Sequence, residues 1–264
     1  MDITIAAATP DQLKPKPVDE SQLGFGDITT DHIFLMDYDA AKGWFNPRIE
    51  PYGPLAIDPA AMSLHYGQEI FEGLKAYAMA DGGIGLFRAG ENFERLNRSA
   101  ARLCMPNVDI PKAMEGMKQL ILLDKDWIPK SPGTSLYIRP TMIATEPHLG
   151  VRPSNNYLFF IIIGPVGAYY KEGLNPVKIY VEDFFVRAAI GGTGEAKLRS
   201  VGCREQVSPT TPPEHRVLSS LFSFHPDRYL TDVPKLASAP SFFLQASCAS
   251  ASALVTSFIL TLSK

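Results

Sequence analysis

The sequence predicts a mixed α/β fold, in which an α+β small domain is followed by the beginning of a larger, truncated domain. Apolar runs with the length and composition of β-strands alternate with segments in which apolar residues recur at helical spacing. A Gly-Gly turn between two apolar stretches predicts a hairpin. The chain has 264 residues, 45% of them hydrophobic, which is enough for one large domain or two smaller ones.

Several segments have the composition of strands. "DHIFLMDYD" contains Ile33, Leu35 and Met36 beside aromatic residues and is predicted to be a strand. "LYIRPTMIAT" and "NYLFFIIIGPVG" follow, the second as a fully buried strand, and then the alternating "PVKIYVEDFFVRAA". "LKAYAM" and "IGLF" flank Asp81-Gly82-Gly83, whose residues accept positive φ, so these two segments are predicted to pair as a hairpin.

Three segments are predicted to be helices from apolar residues spaced three and four apart. The clearest is "GENFERLNRSAARLCM", which Gly90 or Asn92 would open, and the second is "PKAMEGMKQLILLDKDWI". The third lies in "SLHYGQEIFEGLKAY", although Gly73 lowers its helix propensity. The apolar positions in the three segments are, in order, Phe93, Leu96, Ala100 and Leu103; Met114, Met117, Leu120 and Ile121; and Leu64, Ile70, Phe71 and Leu74.

Composition argues against several function classes. The net charge of −3 and the lack of a Lys/Arg run argue against nucleic acid as a partner. The longest apolar stretches are too short to span a bilayer, and the N-terminus lacks the pattern of a signal peptide, so no membrane association is expected. Three widely spaced cysteines suggest neither zinc nor disulfides, and we expect a cytoplasmic protein without a metal.

Composition distinguishes an N-terminal arm and a C-terminal tail from the part between them. Residues 1–22 are rich in proline and polar residues and are expected to form a loose N-terminal arm. The division of the central part into a small domain, residues 23–150, and the beginning of a large one, residues 151–197, is what the family resemblance given below implies. Residues 198–264 hold 12 serines and 6 prolines but one glycine, with no consistent period. Since α/β connections use glycine, this tail is expected to be unrelated to the preceding fold and poorly ordered.

Single residues leave alternatives open. Lys197 ends the glycine-rich "GGTGEAK", where a lysine is either a solvated loop residue or, if desolvated, a nucleophile for carbonyl chemistry. Arg88 lies between a strand and a helix, which suits either phosphate binding or a surface ion pair. Arg139 follows an apolar run and either receives a carboxylate or ends a strand at the surface. Tyr66 and Phe71 belong either to a pocket or to the core.

Five blocks, taken together, resemble the branched-chain-amino-acid aminotransferases, which are pyridoxal-phosphate enzymes of fold type IV. The similarity extends over about residues 23–197, in order and with ordinary spacing. The blocks are "LGFGDITTDHIFLMDYDAAKGW", "SLHYGQEIFEGLKAY", "LFRAGENFERLNRSAARLCMP", "GTSLYIRPTMIATEPHLGVRPS" and "GPVGAYYKEGLNPVKIYVEDFFVRAAIGGTGEAK".

The resemblance implies a role for each candidate residue. Lys197 would bind the aldehyde of pyridoxal 5'-phosphate and move the proton during catalysis. Arg88 would bind the cofactor phosphate, and Arg187 would lie near the cofactor. The substrate pocket would contain the aromatic and basic residues of two blocks, namely Tyr66, Phe71, Tyr137 and Arg139.

The implied reaction is transfer of the amino group of leucine, isoleucine or valine to 2-oxoglutarate in a homodimeric enzyme. After Lys197 the family pattern stops: the family's tyrosine five residues on is replaced by Gly202, and no block matches the glutamate that contacts the cofactor ring nitrogen. An inactive truncated remnant, or a partner-binding fragment, is therefore the alternative. A third interpretation, related chemistry such as D-amino-acid transamination, is disfavoured by "YGQEIFEGLKAY" and "GTSLYIRP".

Overall fold

A mixed α/β structure with one large sheet is observed, as the sequence predicts. The computed structural model describes residues 2–167 and 192–198 and the backbone of Ile259–Leu262. These residues belong to one compact unit, except for residues 192–194, which belong to a second. The strands are β1 (Thr4–Ile5), β2 (His32–Asp39), β3 (Gly43–Pro51), β4 (Glu69–Phe71), β5 (Leu74–Ala78), β6 (Ile84–Phe87), β7 (Ser135–Ala144), β8 (Asn156–Val166) and β9 (Ile259–Leu262). The helices are α1 (Met62–Tyr66), α2 (Ala89–Arg102) and α3 (Ile110–Leu123).

The sheet has the order β1-β3-β2-β8-β7-β5-β6-β9, and β4 pairs with β7 beside this path. The β1–β3 pair is parallel, and every other pair among the described strands is antiparallel. β8 lies between β2 and β7, so its backbone groups are paired on both sides. The predicted domain boundary near residue 150 falls in the loop between β7 and β8, and it stays a prediction.

Most of the predicted elements are confirmed. The strands around Ile33, in "LYIRPTMIAT" and in "NYLFFIIIGPVG" are β2, β7 and β8, and the Gly-Gly hairpin joins β5 to β6. The first two predicted helices are α2 and α3, although α2 begins after Arg88 rather than at Gly90 or Asn92. The predicted strand "PVKIYVEDFFVRAA" lies outside the described residues.

The predicted helix spanning Leu64 to Leu74 is wrong. A helix of five residues ends at Gly67, which has φ of 62°, and the chain continues as β4 and β5. The buried positions that follow alternate, as a strand requires: Ile70, Glu72, Leu74 and Ala76. Because Glu72 carries a carboxylate, the alternation of apolar residues that predicts a strand is not visible in the sequence.

Two helices cover one face of the sheet. Phe93, Leu96 and Ala100 of α2 are buried, and α3 packs on β2 and β3 with its own buried side chains. Those of α3 are Ala113, Met117, Leu120 and Ile121. α3 packs closely on β2. A Cβ atom at Gly116 of α3 would overlap the ring of Phe34 in β2.

The N-terminal arm, residues 1–22, is held against the sheet rather than loose. The ammonium group of Lys14 donates to the carbonyl oxygens of Thr29 and Thr30 and to the Thr29 hydroxyl, and it lies 3.9 Å from the centroid of the Tyr52 ring. The amide of Ala8 donates to the His32 ring at 2.8 Å. Polar side chains, which suggested a loose segment, form specific hydrogen bonds here.

The predicted 198–264 tail lies outside the described residues, apart from Leu198 and β9. Leu198 is buried and bridges to Ile70. β9 pairs with β6, with Leu260 opposite Leu86. In the part of the chain that the structure describes, no helix is long and apolar enough to cross a membrane, and no cluster of three or more His, Cys, Asp or Glu side chains is arranged to hold a metal ion.

We expect Gly116→Ala to lower the free energy of unfolding by about 1–3 kcal/mol, because the added methyl group forces the Phe34 ring or α3 to move. Gly90→Ala, a glycine in α2 with no atom within 4 Å of an added Cβ, is the matched control and should be neutral or stabilising. Urea unfolding of the two variants measures the difference. Equal effects would contradict the close packing of α3 on β2.

Candidate active site

Three candidate residues lie on the face of the sheet opposite α2. Phe71 in β4 is paired with Thr141 in β7, and Tyr137 and Arg139 precede Thr141 by four and two residues. Since side chains two apart in a strand share a face, these side chains lie together. Ile138, between them, points to the buried face.

Arg139 and Tyr137 are in direct contact. The guanidinium of Arg139 donates to the Tyr137 hydroxyl from Nε at 3.1 Å and from Nη2 at 2.8 Å. Its Cζ lies 4.6 Å from the centroid of the Phe71 ring, a cation–π contact. The hydroxyl of Tyr137 also approaches Gly73 so closely that a Cβ there would overlap it. Strand geometry and this glycine thus orient the guanidinium.

Lys197 joins this cluster. Its side-chain nitrogen lies 5.4 Å from the centroid of the Phe71 ring, so the ammonium of Lys197 and the guanidinium of Arg139 contact the same ring. Lys197 itself is half-buried, and its neighbours Ala196 and Leu198 are 5% and 4% exposed. This is not the fully solvated loop lysine that the sequence left as an alternative.

Apolar side chains border the same face. Opposite Arg139 in β8 is Ile162, and opposite Thr141 is Phe160. Both are partly buried in a cluster with Ile33, Leu35, Leu158 and Ile143. The ring of Phe25 lies 4.9 Å from that of Tyr137. The cationic groups of Lys197 and Arg139 therefore lie beside an apolar surface.

Two residues hold the backbone of Lys197. Its amide donates to the hydroxyl of Ser99 in α2 at 3.0 Å, and its carbonyl accepts from the amide of Phe71 at 3.1 Å. Ser99 was not singled out in the sequence, because a serine inside a helix has no distinctive pattern. The lysine is thus placed by α2 on one side and β4 on the other.

An ion pair with one buried partner connects these two elements. Glu72, fully buried, accepts from Arg95 of α2 at 2.6 and 2.7 Å, and from Asn92 at 3.1 Å. The Arg95 side chain is 38% exposed, but its loss would leave the buried carboxylate without its cation. The alternation of Glu72 with Ile70 and Leu74 is the signal that could have identified it, since a carboxylate on a buried strand face requires a cation.

Arg88 lies at the start of α2, at φ of 47°, with its side chain 59% exposed and 3.4 Å from Glu91. Ser99 follows eleven residues later, so Arg88 is roughly 16 Å from it along the helix axis. Arg95 is one turn from Ser99. The described contacts of Arg88 are therefore those of a surface ion pair at some distance from Lys197.

Tyr66 contacts a different segment. Its hydroxyl donates to the carbonyl of Leu149, in the loop after β7. Glu146 organises this loop: it accepts from Arg152 at 2.6 Å and from the Asn155 amide at 2.7 Å. The hydrogen bonds from Arg152 and Asn155 outweigh partial burial and lower the pKa of Glu146 to about 2. Arg187, the remaining candidate, lies outside the described residues.

We expect Glu146→Gln to destabilise the loop after β7 at neutral pH and to have less effect in acid. The pKa of Glu146 is lower in the folded protein, so its contribution is complete above its usual value of 4.5 and is lost as the pH falls through about 2. The difference in urea midpoint between wild type and variant should therefore be smaller at pH 3 than at pH 6.

Arg152→Gln is the matched variant for this experiment, because it removes the guanidinium and retains the carboxylate. Its effect should also be smaller at pH 3 than at pH 6, and small overall, because the Arg152 side chain is exposed and surface ion pairs contribute little. A pH-independent difference for Glu146→Gln would contradict the ionised pair.

The comparisons with known proteins agree with the sequence blocks. Over 184 residues the chain is 61% identical to branched-chain-amino-acid aminotransferase 2 of Bacillus subtilis (strain 168), covering 70% of this chain and 50% of that protein. Branched-chain-amino-acid transaminase 1 of the same strain is 55% identical over 185 residues, covering 70% and 52%. No family model matches the chain.

Solved structures show the same fold. The branched-chain aminotransferase of Thermoproteus uzoniensis, crystallised with norvaline, matches with a TM-score of 0.51 at 18% identity, covering 65% of this chain and 54% of that one. The T.th. branched-chain amino acid aminotransferase complexed with N-(5'-phosphopyridoxyl)-L-glutamate also gives 0.51, at 21% identity, covering 70% and 54%. The fold type IV prediction is confirmed. The chain spans about half the length of the curated relatives it matches, and over about 70% of its own length it is a relative of the branched-chain-amino-acid aminotransferases.

Proposed function

We propose that this chain takes part in branched-chain amino-acid transamination, transferring the amino group of leucine, isoleucine or valine to 2-oxoglutarate with pyridoxal 5'-phosphate bound at Lys197. The observation that carries the proposal is the convergence of Lys197, Phe71 and Arg139 on one face of the sheet. The 61% identity over 184 residues to an aminotransferase of Bacillus subtilis supports it.

The chemistry of the described residues fits this cofactor. Lys197 offers a primary amine, the group that condenses with an aldehyde. A phosphate dianion needs a guanidinium, for which Arg88 is the candidate from the resemblance. Arg187 would lie near the cofactor by resemblance alone. When bound, pyridoxal phosphate supplies an electron sink that acidifies the substrate Cα–H bond.

Lys197 would act as general base and acid in the proposed reaction. In its neutral form, the amine of Lys197 would accept the proton from the substrate Cα and later return it. The backbone of Lys197 is fixed at both its amide and its carbonyl, so that the side chain starts from a defined position. A fixed starting point favours proton transfer because the reacting atoms need not be brought together in each turnover.

Substrate recognition would use the cationic and apolar parts of the same face. Arg139 carries the donors that suit a carboxylate of the amino acid or of the oxo acid. Tyr137 holds the guanidinium through two hydrogen bonds, and Phe71 covers one side of it. Ile162 and Phe160 provide apolar surface for a branched side chain. Tyr66, the last residue of α1, is hydrogen-bonded to the carbonyl of Leu149 and would contact the substrate from there.

We further propose a homodimer in the cytoplasm, as the resemblance implies. The alternative is an inactive remnant or partner-binding fragment of such an enzyme. It is motivated by the change of composition after Lys197, where one glycine occurs in 67 residues. Binding of pyridoxal phosphate separates these two hypotheses.

Purified protein mixed with pyridoxal phosphate should show the visible absorbance of a lysine-bound cofactor, and Lys197→Ala should abolish it. The reason is that a covalent bond to the aldehyde requires the amine of this residue. Absorbance spectra of wild type and variant, with folding checked by circular dichroism, measure the effect. Lys112→Ala, an exposed lysine in α3 paired with Asp109, is the control and should keep the band.

A band that persists in Lys197→Ala would rule out the proposed role of this lysine. Folded wild-type protein without any band would favour the inactive remnant.

Arg139→Met should raise KM for leucine and 2-oxoglutarate by about 10- to 100-fold, because hydrogen bonds to charged groups are typically worth about 1.5–3 kcal/mol. Tyr137→Phe removes only the hydroxyl that orients the guanidinium, and its effect should be smaller and in the same direction. Steady-state kinetics with both substrates measure the changes. An unchanged KM in Arg139→Met would place the carboxylate site elsewhere.

A further inference from the structure

We propose that Ser99 is a positioning residue for Lys197. Its hydroxyl fixes the peptide of Lys197 against α2, so that the amine of the lysine meets the cofactor aldehyde. The inference rests on the proposed function, in which Lys197 binds the cofactor. Ser99 does not reach the reacting atoms; it acts through the backbone of Lys197.

The hydroxyl of Ser99 both donates and accepts a hydrogen bond. Ser99 is 1% exposed, and its Oγ donates to the carbonyl of Arg95 at 3.0 Å while accepting from the amide of Lys197 at 3.0 Å. A hydroxyl has one donor and two acceptor positions, so the bond to Arg95 aims its lone pairs away from the helix axis and toward the lysine. The amide of Lys197 is thereby satisfied by a side chain rather than by a sheet partner.

The opposite side of Lys197 is held by β4. The carbonyl of Lys197 accepts from Phe71, and Leu198 bridges to Ile70. The residues before and after the lysine, Ala196 and Leu198, are buried, so the peptide cannot slide without exposing them. Only the side chain of Lys197 remains to vary, and it extends toward the Phe71 ring.

These contacts form a closed circuit. Lys197 is bonded to Ser99 in α2, α2 is bonded to Glu72 through Arg95, and Glu72 adjoins Phe71, whose amide donates to Lys197. The ion pair of Arg95 with the buried Glu72 joins α2 to the residue that follows β4, and the serine hydroxyl spans the distance from α2 to the lysine peptide. Replacing Ser99 by alanine leaves a buried amide without its partner and opens the circuit.

This circuit explains why a serine occurs in the last turn of α2. Serine is a weaker helix former than alanine, since its hydroxyl competes for backbone groups. At Ser99 that tendency is used, because the hydroxyl connects the helix to a segment nearly a hundred residues later in the sequence. Displacing a reactive group by about 1 Å can cost about 100-fold in rate, so a small shift of the lysine peptide matters.

The test compares the full 264-residue chain with Ser99→Ala and Ser99→Thr. Each protein is mixed with pyridoxal phosphate, reduced with borohydride and digested, and the label on Lys197 is quantified by mass spectrometry relative to the other lysines. Ser99→Ala should lower the Lys197 share by about three- to tenfold, the range expected for loss of one hydrogen bond. Ser99→Thr retains the hydroxyl and should restore most of it. The pH dependence of labelling should shift in Ser99→Ala alone.

Amide hydrogen exchange of Lys197 in the cofactor-free protein provides an independent measurement. Exchange should be faster in Ser99→Ala than in wild type, because the amide has lost its acceptor. Ser135→Ala is the matched control: it removes another buried serine hydroxyl, one for which the described residues offer no hydrogen-bond partner, and it should change neither measurement.

The inference is wrong if Ser99→Ala shows the same labelling of Lys197 and the same exchange of the Lys197 amide as the wild-type protein. It is also wrong if the amide exchanges faster in Ser99→Ala but the labelling of Lys197 is not lowered. If Lys197 of the wild-type protein is not labelled above the other lysines, the proposed function fails. Hydrogen exchange then still decides whether Ser99 holds the peptide. Should Ser99→Ala not fold, Ser99→Thr and Ser99→Cys decide the matter, since cysteine is of similar size but a much weaker acceptor.

Discussion

The carboxylate of Glu72 is completely buried between the sheet and α2, and a charge in that position is tolerated only when a cation and hydrogen-bond donors meet it. Arg95 and Asn92 therefore have to face the strand, which sets the rotation of α2 about its axis. The same rotation turns Ser99, one turn further along, toward the peptide of Lys197. The position of the Lys197 peptide thus depends on the Glu72–Arg95 ion pair.

The order of residues around Glu72 extends this constraint to the other face of the sheet. Phe71, directly before it, points the opposite way and contacts both Lys197 and Arg139. Gly73, directly after it, leaves the space that the hydroxyl of Tyr137 occupies. Three consecutive residues thereby connect the helix layer, the candidate lysine and the candidate carboxylate site. A substitution at any of them is expected to disturb contacts on both faces of the sheet.

Apolar patterns predicted the elements whose buried side chains are mostly apolar. These are the strands β2, β7 and β8 and the helices α2 and α3, in which a few polar side chains such as Ser99 are also buried. The prediction failed where polar groups are buried: the carboxylate of Glu72 hid the strand period, and the ammonium of Lys14 holds an arm that its composition suggested was loose. Hydrogen-bond partners far apart in the sequence cannot be inferred from local spacing.

The candidate site was predicted from the resemblance rather than from spacing. Four of its residues, Lys197, Phe71, Tyr137 and Arg139, are adjacent in space, while Tyr66 and Arg88 have their described contacts elsewhere. Ser99 could not be recognised, because its importance lies in one hydrogen bond to a residue 98 positions away.

The strand order has a consequence for how the chain acquires its structure during synthesis. β2 is flanked by β3 and β8, and Phe34 is paired with Ile161 in β8. A growing polypeptide can form the β2–β3 pair and the two helices early, because those contacts are local. The edge of β2 that pairs with β8 stays unpaired until more than a hundred further residues have left the ribosome. Such distant pairing slows folding, and in the interval an apolar strand edge is exposed, where chaperones bind and nascent chains associate.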